Sequence, residues 1–448
     1  MSMFHIGMSG VRAAKAGLWS ASNNLANQKT PGYSRRAALL SAAVTGGANM
    51  PAMVRLNDAF RTQALWAAGA QERRHKAAQS HLDQLEGVIG ASGSDNNLGL
   101  GDFLGALNKA SADPASTPLR QAVLQAGGSM AKQFNNRISV LENQLRGVQA
   151  QRESMIEQVN TLAASVADLN RRIVAGNASG DDVSALMDQR DVTIDKLSGL
   201  VGGQVVQQPD GTVDITFKGG QPLVLGSRAG VLEVRRNAAG EQELSNRFGT
   251  QSIRVDDDEL GGELHGLSDF EHETLRPHLQ ALKTLAGEIA DRFNAQLNAG
   301  FDKSGAAGRD LFVFDRVSGR MKVDETLTPD DLAFSDASLD PGGNSGNLLR
   351  LIELGKSKVD LHGGGFVSLE DALSSMEAKV GAASYQNKTA LEALSAVREQ
   401  AELAWSSASG VDGDEEAINL MEYNKMSQAN MTVIKVANEL FDKVLNAF

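Results

Sequence analysis

The chain of 448 residues contains no cysteine. That absence excludes disulfides, thiolate nucleophiles, zinc–cysteine sites and iron–sulfur clusters at once. Proline is scarce, at 9 residues, and aromatic residues make up only 5%. Both shortages suit long helices better than a β-rich enzyme core, because proline breaks helices and sheets draw on aromatic side chains. No apolar run approaches the ~18 residues of a membrane-spanning helix. The opening 1–21 does not read as a secretory signal peptide, because Arg12 and Lys15 interrupt the place of its apolar core. None of the 7 histidines stands four residues from another, and no H-E-x-x-H is present, which disfavours a zinc hydrolase.

Charge is unevenly placed. The whole chain carries −12, with 43 basic and 55 acidic residues, which argues against nucleic acid as a partner. Residues 1–40 nevertheless hold Arg12, Lys15, Lys29, Arg35 and Arg36 with no acid, whereas 411–448 hold 3 lysines and 7 acids. The two ends therefore attract each other.

The clearest periodic signal is Phe134, Ile138, Leu141, Leu145, Val148, Arg152, Met155, Val159, Leu162, Val166, Leu169 and Ile173, spaced alternately by four and three. Only Arg152 interrupts the apolar run. This is a coiled-coil seam, and it predicts a rod of about 60 Å at 1.5 Å per residue. Such a stripe needs partner helices. One candidate carries Leu275, Leu279, Leu282, Ala286, Ile289, Phe293 and Leu297; another carries Leu373, Met376, Val380, Ala383, Ala390, Leu394 and Val397. Residues 54–90 also read as helix, and 90–101 as a connector. Between the helices, Thr212-Val213-Asp214-Ile215-Thr216-Phe217 alternates polar and apolar between turn signals, as a half-buried strand does, and Leu223-Val224-Leu225 and Val231-Leu232-Glu233-Val234 follow at hairpin spacing.

At the ends, Phe4, Val11, Leu18 and Leu25 recur every seven residues until Thr30-Pro31-Gly32-Tyr33 stops the helix. Ile434, Ala437, Phe441, Val444 and Phe448 recur by three and four, with Leu440 beside them. Each stripe needs a covering helix, and their opposite charge makes them natural partners. The chain is thus expected to be mainly α with a β insertion, an elongated multi-domain protein. The expected domains are a terminal coiled coil (1–45 with 405–448), a long helical bundle (46–200 with 266–300 and 346–404) and a small mainly-β outer domain (201–265 with 301–345).

No catalytic constellation emerges. His272 lies between two glutamates, Asp256-Asp257-Asp258-Glu259 and Asp412-Gly413-Asp414-Glu415-Glu416 are acidic, and Gly363-Gly364-Gly365 follows His362. The acidic runs lack the spaced ligands of an EF-hand and read as a solvated turn and a helix start. The triple glycine has no G-x-S-x-G to supply a nucleophile. No cofactor or metal set is expected.

Ser22-Asn23-Asn24-Leu25-Ala26-Asn27-Gln28-Lys29-Thr30-Pro31-Gly32-Tyr33 closely resembles the N-terminal signature of the bacterial flagellar axial proteins, the rod, hook and hook-associated proteins. Gln428-Ala429-Asn430 and Ala437-Asn438-Glu439-Leu440-Phe441-Asp442, with Asp188-Gln189-Arg190-Asp191 and Asn298-Ala299-Gly300-Phe301-Asp302, resemble the hook-associated branch. Ser34-Arg35-Arg36 departs slightly from the family pattern, and residues 300–375 look short beside many members. The resemblance implies a structural protein that is not an enzyme. It implies an adaptor at the distal end of the hook, joining it to the filament. Implied partners are the hook protein, a second junction protein, copies of itself, and an export chaperone at the C-terminal segment, with no membrane insertion. Export would use the flagellar type III channel without a cleaved signal, placing the protein outside the cell. The expected subunit-packing residues are Phe4, Val11, Leu18, Leu25, Ile434, Ala437, Leu440, Phe441 and Val444, with Asn23, Asn24, Pro31, Gly32 and Tyr33 shaping the link outward. Another axial protein, such as a second junction protein or hook subunit, stays open as an alternative, as does an enzyme housed in the β insertion.

Overall fold

A computed structural model describes residues 3–43, 46–90, 98–238, 240–339, 341–361 and 366–446. Phe448, residues 362–365 with the triple glycine, and residues 91–97 of the expected connector lie outside the described residues. The chain opens with helix α1 (Met3–Ala26), an antiparallel ribbon of β1 (Arg36–Ala42) and β2 (Ala48–Arg55), and helices α2 (Ala59–Gly90), α3 (Leu100–Ser111), α4 (Thr117–Ser179) and α5 (Ser184–Val201). Short strands follow: β3 (Gln204–Gln207), β4 (Val213–Thr216), β5 (Pro222–Leu225), β6 (Arg228–Ala229), β7 (Val231–Arg236), β8 (Gln242–Phe248) and β9 (Gln251–Val255). Helix resumes as α6 (Gly262–Asp269), a π-turn (Phe270–Leu275) and α7 (Arg276–Asn298). Hairpin β10 (Phe312–Asp315) and β11 (Arg320–Val323), helix α8 (Gly346–Glu353), and hairpin β12 (Lys358–Asp360) and β13 (Phe366–Ser368) precede the long α9 (Leu369–Ser409) and α10 (Gly413–Leu445). The fold is mainly α with small antiparallel sheets, as the periodicity predicts.

The long seam is real, and longer than the apolar pattern alone indicates. Along α4, Phe134, Ile138, Leu141, Val148, Val159, Val166 and Ile173 are fully enclosed, and so is Arg152. Both candidate segments are helical, in the π-turn with α7 and in α9; Leu373, Met376 and Val380 of α9 are buried, whereas Val397 stands 50% exposed.

Chain contacts divide the protein into two compact units. One comprises Met1–Arg74, Glu153–His265 and Leu391–Phe448; the other comprises His75–Arg152 and Gly266–Ala390. In the first, β3-β4-β5-β6 and β7-β8-β9 form two antiparallel sheets beside α5 and the later part of α4. In the second, β10 and β11 pair with each other beside α7 and the earlier part of α4. The two β stretches grouped by pattern, 201–265 and 301–345, thus lie in separate sheets and separate units.

Asparagines fix the strands to the helices. Asn170 on α4 donates to the Val213 carbonyl (2.8 Å) and accepts from the Val213 N–H (3.1 Å). Asn160 treats Leu232 of β7 the same way (2.9 and 2.8 Å). In the second unit Asn135 holds Met321 (2.8 and 3.1 Å), and Asn294 holds Phe312 (2.7 and 2.9 Å). A carboxamide carries one acceptor and one donor group, so it can pair with a strand residue as another strand would. This satisfies edge groups that burial would otherwise leave bare.

Candidate functional site: the terminal helix pair and its anchorage

Helices α1 and α10 pack antiparallel along a seam of small residues. The buried positions of α1 include Gly7, Gly10, Ala14, Gly17 and Ala21, spaced three and four apart. A Cβ on Gly7 would lie 2.7 Å from Ile434 Cγ1, one on Gly10 would strike the Asn430 side chain, and one on Gly17 would enter the Tyr423 ring. Bulk on α10 thus fills the space that glycine leaves on α1. The start of α10 is capped by Asp412, which accepts from the N–H of Asp414 (2.9 Å) and Glu415 (3.3 Å). This acidic run is therefore a helix start, as the sequence reading held.

The large apolar residues face elsewhere. Val11 is buried and Leu18 half-buried, but Phe4 and Leu25 are 40% and 41% exposed. Ile434 and Ala437 are half-buried, whereas Leu440, Phe441 and Val444 stand 48%, 64% and 57% exposed. A strict seven-residue stripe drifts about 20° per repeat on a straight helix. It therefore runs along the border of the glycine seam and does not form it. The sequence reading passed over Trp19, which is exposed and lies four residues beyond exposed Lys15. With Phe4, half-buried Met8 and exposed Arg12 it makes one outward row, legible from spacings of four, four, three and four.

The link from α1 to the ribbon is tied by Asn24. Its Oδ1 accepts from the Tyr33 hydroxyl and from the Arg36 N–H, both at 2.9 Å, and its Nδ2 donates to the Arg36 carbonyl (2.8 Å). Asn23 accepts from Asn27 Nδ2 through its carbonyl (2.9 Å), closing the last turn of α1. Thr30-Pro31-Gly32-Tyr33 is a tight turn closed by the Tyr33 N–H on the Thr30 carbonyl (3.2 Å). Proline presets the first corner, and Gly32 takes φ +74°, which a side chain resists. Burial raises the Tyr33 hydroxyl above its ordinary pKa, with Arg36 pulling the other way, so Tyr33 is a standing donor.

Ser34, Arg35 and Arg36 then distribute the link to three elements. Arg35 donates to Glu416 and Glu415 at the start of α10, both at 2.6 Å, and its N–H reaches the Ser409 carbonyl (2.8 Å). Arg36 reaches Asp188 (3.4 Å) on α5. Arg55, paired with Arg36 across the ribbon, bridges Asp188 (2.7 Å) and Asp191 (2.6 Å) and donates to Ser34 Oγ (2.9 Å). Arg190 turns the opposite way, to Asn170 Oδ1 (3.1 Å) and the Gly211 carbonyl (2.6 Å). In Asp188-Gln189-Arg190-Asp191 the acids therefore hold the link, and the arginine holds the sheet. Of these pairings, Arg35 with Glu415 and Glu416 joins the oppositely charged chain ends. Sequence reasoning missed Arg55, Asp188 and Asp191 as partners, because they meet only in the fold.

Among the described residues no group of three or more His, Asp or Glu is placed to hold a metal, and no helix is long and apolar enough to cross a membrane.

The family described as flagellar hook-associated protein FlgK helical domain matches residues 82–312, more than half of the chain. The flagellar basal body rod FlgEFG protein C-terminal family matches 405–447. Flagellar hook-associated protein 1 of Escherichia coli (strain K12) is 26% identical over 548 aligned positions, covering 99% of each chain. That alignment exceeds the 448 residues here, so this relative carries stretches with no counterpart in this chain. Flagellar hook-associated protein 1 of Bacillus subtilis (strain 168) is 26% identical, covering 97% of this chain and 96% of that protein. The structure of the flagellar hook junction protein FlgK from Burkholderia pseudomallei superposes with a TM-score of 0.53 at 27% identity, covering 56% of this chain and 47% of that one. The chain belongs to the flagellar hook-associated protein FlgK family.

Proposed function

We propose that this chain is a structural adaptor of the bacterial flagellum, assembling on the distal end of the hook and connecting it to the filament. The observation that carries this reading is the outward-facing terminal pair. Its seam is satisfied internally by glycine and alanine, while Trp19, Phe441 and Val444 are left exposed on helices already paired. Apolar side chains displayed on a closed helix pair suit packing against neighbouring subunits. Such subunits present different surfaces above and below, so assembly propagates along the axis. Phe4, Leu18, Leu25, Leu440, Phe441 and Val444 make these contacts, and Asn23, Asn24, Pro31, Gly32 and Tyr33 set the angle between the pair and the ribbon. The partners are the hook protein, a second junction protein and copies of this chain. Before assembly the exposed end of α10 engages an export chaperone, and the protein leaves through the flagellar export channel. The chain does no catalysis.

Electron microscopy of cells lacking this gene, with flagellin assayed in the medium, tests the reading. Bare hooks with secreted flagellin are expected. Normal filaments, or cells without hooks, would refute the junction role.

A further inference from the structure

Arg152 is the one charged residue on the α4 seam, and nothing in the adaptor role uses it. It is fully enclosed, and its Nη1 donates to Glu271 Oε2 (3.4 Å), itself fully enclosed. Glu271 also accepts from Gln149 Nε2 (3.1 Å) and from Arg276 Nε and Nη2 (2.9 and 2.6 Å). Glu271 and Leu275 both lie in the π-turn that separates α6 from α7. These groups all belong to the second unit.

The Glu271–Arg276 contact depends on that turn. Side chains five residues apart on an α-helix point roughly 140° away from each other. A π-turn carries one residue more per turn, which brings positions five apart onto one face. Only there can Glu271 meet Arg276 on its own helix and Arg152 across the seam. Burial raises the cost of the carboxylate, but the hydrogen bonds from Gln149 and Arg276 and the two arginine charges outweigh it and hold its pKa below the ordinary value. Buried ion triads of this kind add little stability over apolar residues of similar volume. What they supply is a requirement for one arrangement.

We propose that the Arg152–Glu271–Arg276 triad is a register lock: it holds residues 270–275 in the π-turn, against an all-α register of the same helix. Converting the turn to α-helix would rotate everything before it by about one residue position, roughly 100°. Leu267 and Phe270, now buried, would leave the core, and Phe270 would lose its ring stacking on His81 (5.3 Å between centroids). The helix thus has two discrete registers, and the triad selects one.

The test is the backbone of the full-length protein carrying Arg276→Ala, by crystallography or by amide exchange over 268–278. Arg276 is partly exposed, so the variant is expected to fold. The 270–275 hydrogen bonds are expected to change from i→i+5 to i→i+4, with faster exchange in this turn and in the residues just before it, where Leu267 leaves the core. Arg152→Met/Glu271→Leu, an apolar replacement of the buried pair, should do the same, with an unfolding midpoint lowered by the burial that Leu267 and Phe270 lose. A π-turn retained in either variant overturns the proposal. Should the double variant fail to fold, the Arg276→Ala structure decides alone.

Discussion

The carboxamide of Asn170 and the backbone of Val213 form a closed pair, the amide donating at 2.8 Å and the oxygen accepting at 3.1 Å. Asn170 is fully buried and also donates to the Gly226 carbonyl (2.7 Å). Asn170→Asp keeps the shape but turns that donor into an acceptor facing two carbonyls. The loss is expected to be about 3 kcal/mol, the range for stranded buried polar groups. Asn160→Asp, on a partly exposed pair, should cost less. Urea unfolding of both variants checks the order; equal effects would contradict it.

The Arg55 bridge invites a different perturbation. Its guanidinium spans two carboxylates, which a lysine's single point of charge cannot do. Arg55→Met leaves Asp188 and Asp191 facing each other in a nearly enclosed site, at an expected loss of about 3 kcal/mol. Adding Asp188→Asn and Asp191→Asn should restore much of it. A triple variant less stable than Arg55→Met would show that the acids hold the link by something other than charge.

Much of this fold was legible in the sequence, but unevenly. The four-three stripe through Phe134 and Ile173 located α4 because large apolar residues dominate such a pattern. The pairing of the two chain ends followed from charge and is seen in Arg35 with Glu415 and Glu416. The β1–β2 ribbon was not legible: from Ala37 to Val54 no charged residue marks an outer face, so no alternation appears. The seam of α1 was missed because Gly7, Gly10 and Gly17 carry no side chain for a hydrophobic pattern to register. The asparagine clamps look like ordinary solvated helix positions until a strand is placed beside them. At the site, Asn24 and Tyr33 came from a motif, whereas their role as a hydrogen-bonded hub needed the fold.

Acid should weaken the second unit before its carboxylates titrate. Burial, with Arg137 nearby, holds His278 at about 4, below its ordinary 6.5. Burial lowers His81 as well. A histidine kept neutral in the fold but free to charge when unfolded contributes stability that is present above about 6.5 and lost as pH falls toward 4. For His278 the loss reaches about 3 kcal/mol across that window. Unfolding midpoints measured at steps between pH 7 and pH 4 should fall, and fall less steeply in His278→Gln. Parallel profiles would rule His278 out as the cause.

The chain crossing between α5 and α6 should be intolerant of any side chain. A Cβ on Gly202 would lie 2.8 Å from Gly261 Cα, and one on Gly262 would meet the Gly199 carbonyl. Gly262 also holds φ +58°. The obstacle in each case is backbone, which cannot swing aside. Gly262→Ala is expected to cost more than about 3 kcal/mol. Gly220→Ala is the contrast, with φ +83° but open space around it, so strain alone should cost about 1 kcal/mol. Thermal melts of the pair separate crowding from strain.

The terminal pair offers a way to separate folding from assembly. Gly17 faces the Tyr423 ring, and Gly10 faces the tip of the Asn430 side chain. A ring cannot retreat from a close-packed seam as easily as an amide can rotate, so Gly17→Val should part α1 from α10, while Gly10→Ala should be milder. Phe441, by contrast, stands 64% exposed, and Phe441→Ser removes nothing from the core of the pair. If the outward row of α1 and the exposed apolar residues of α10 serve neighbouring subunits, Phe441→Ser and Trp19→Ala should leave helix content and melting unchanged yet abolish filament attachment in cells. Gly17→Val should lower both. The measurements are circular dichroism of the purified chain and electron microscopy of complemented cells. Filaments attached normally in both outward variants would mean that the row is idle, and that subunit contacts lie on another face.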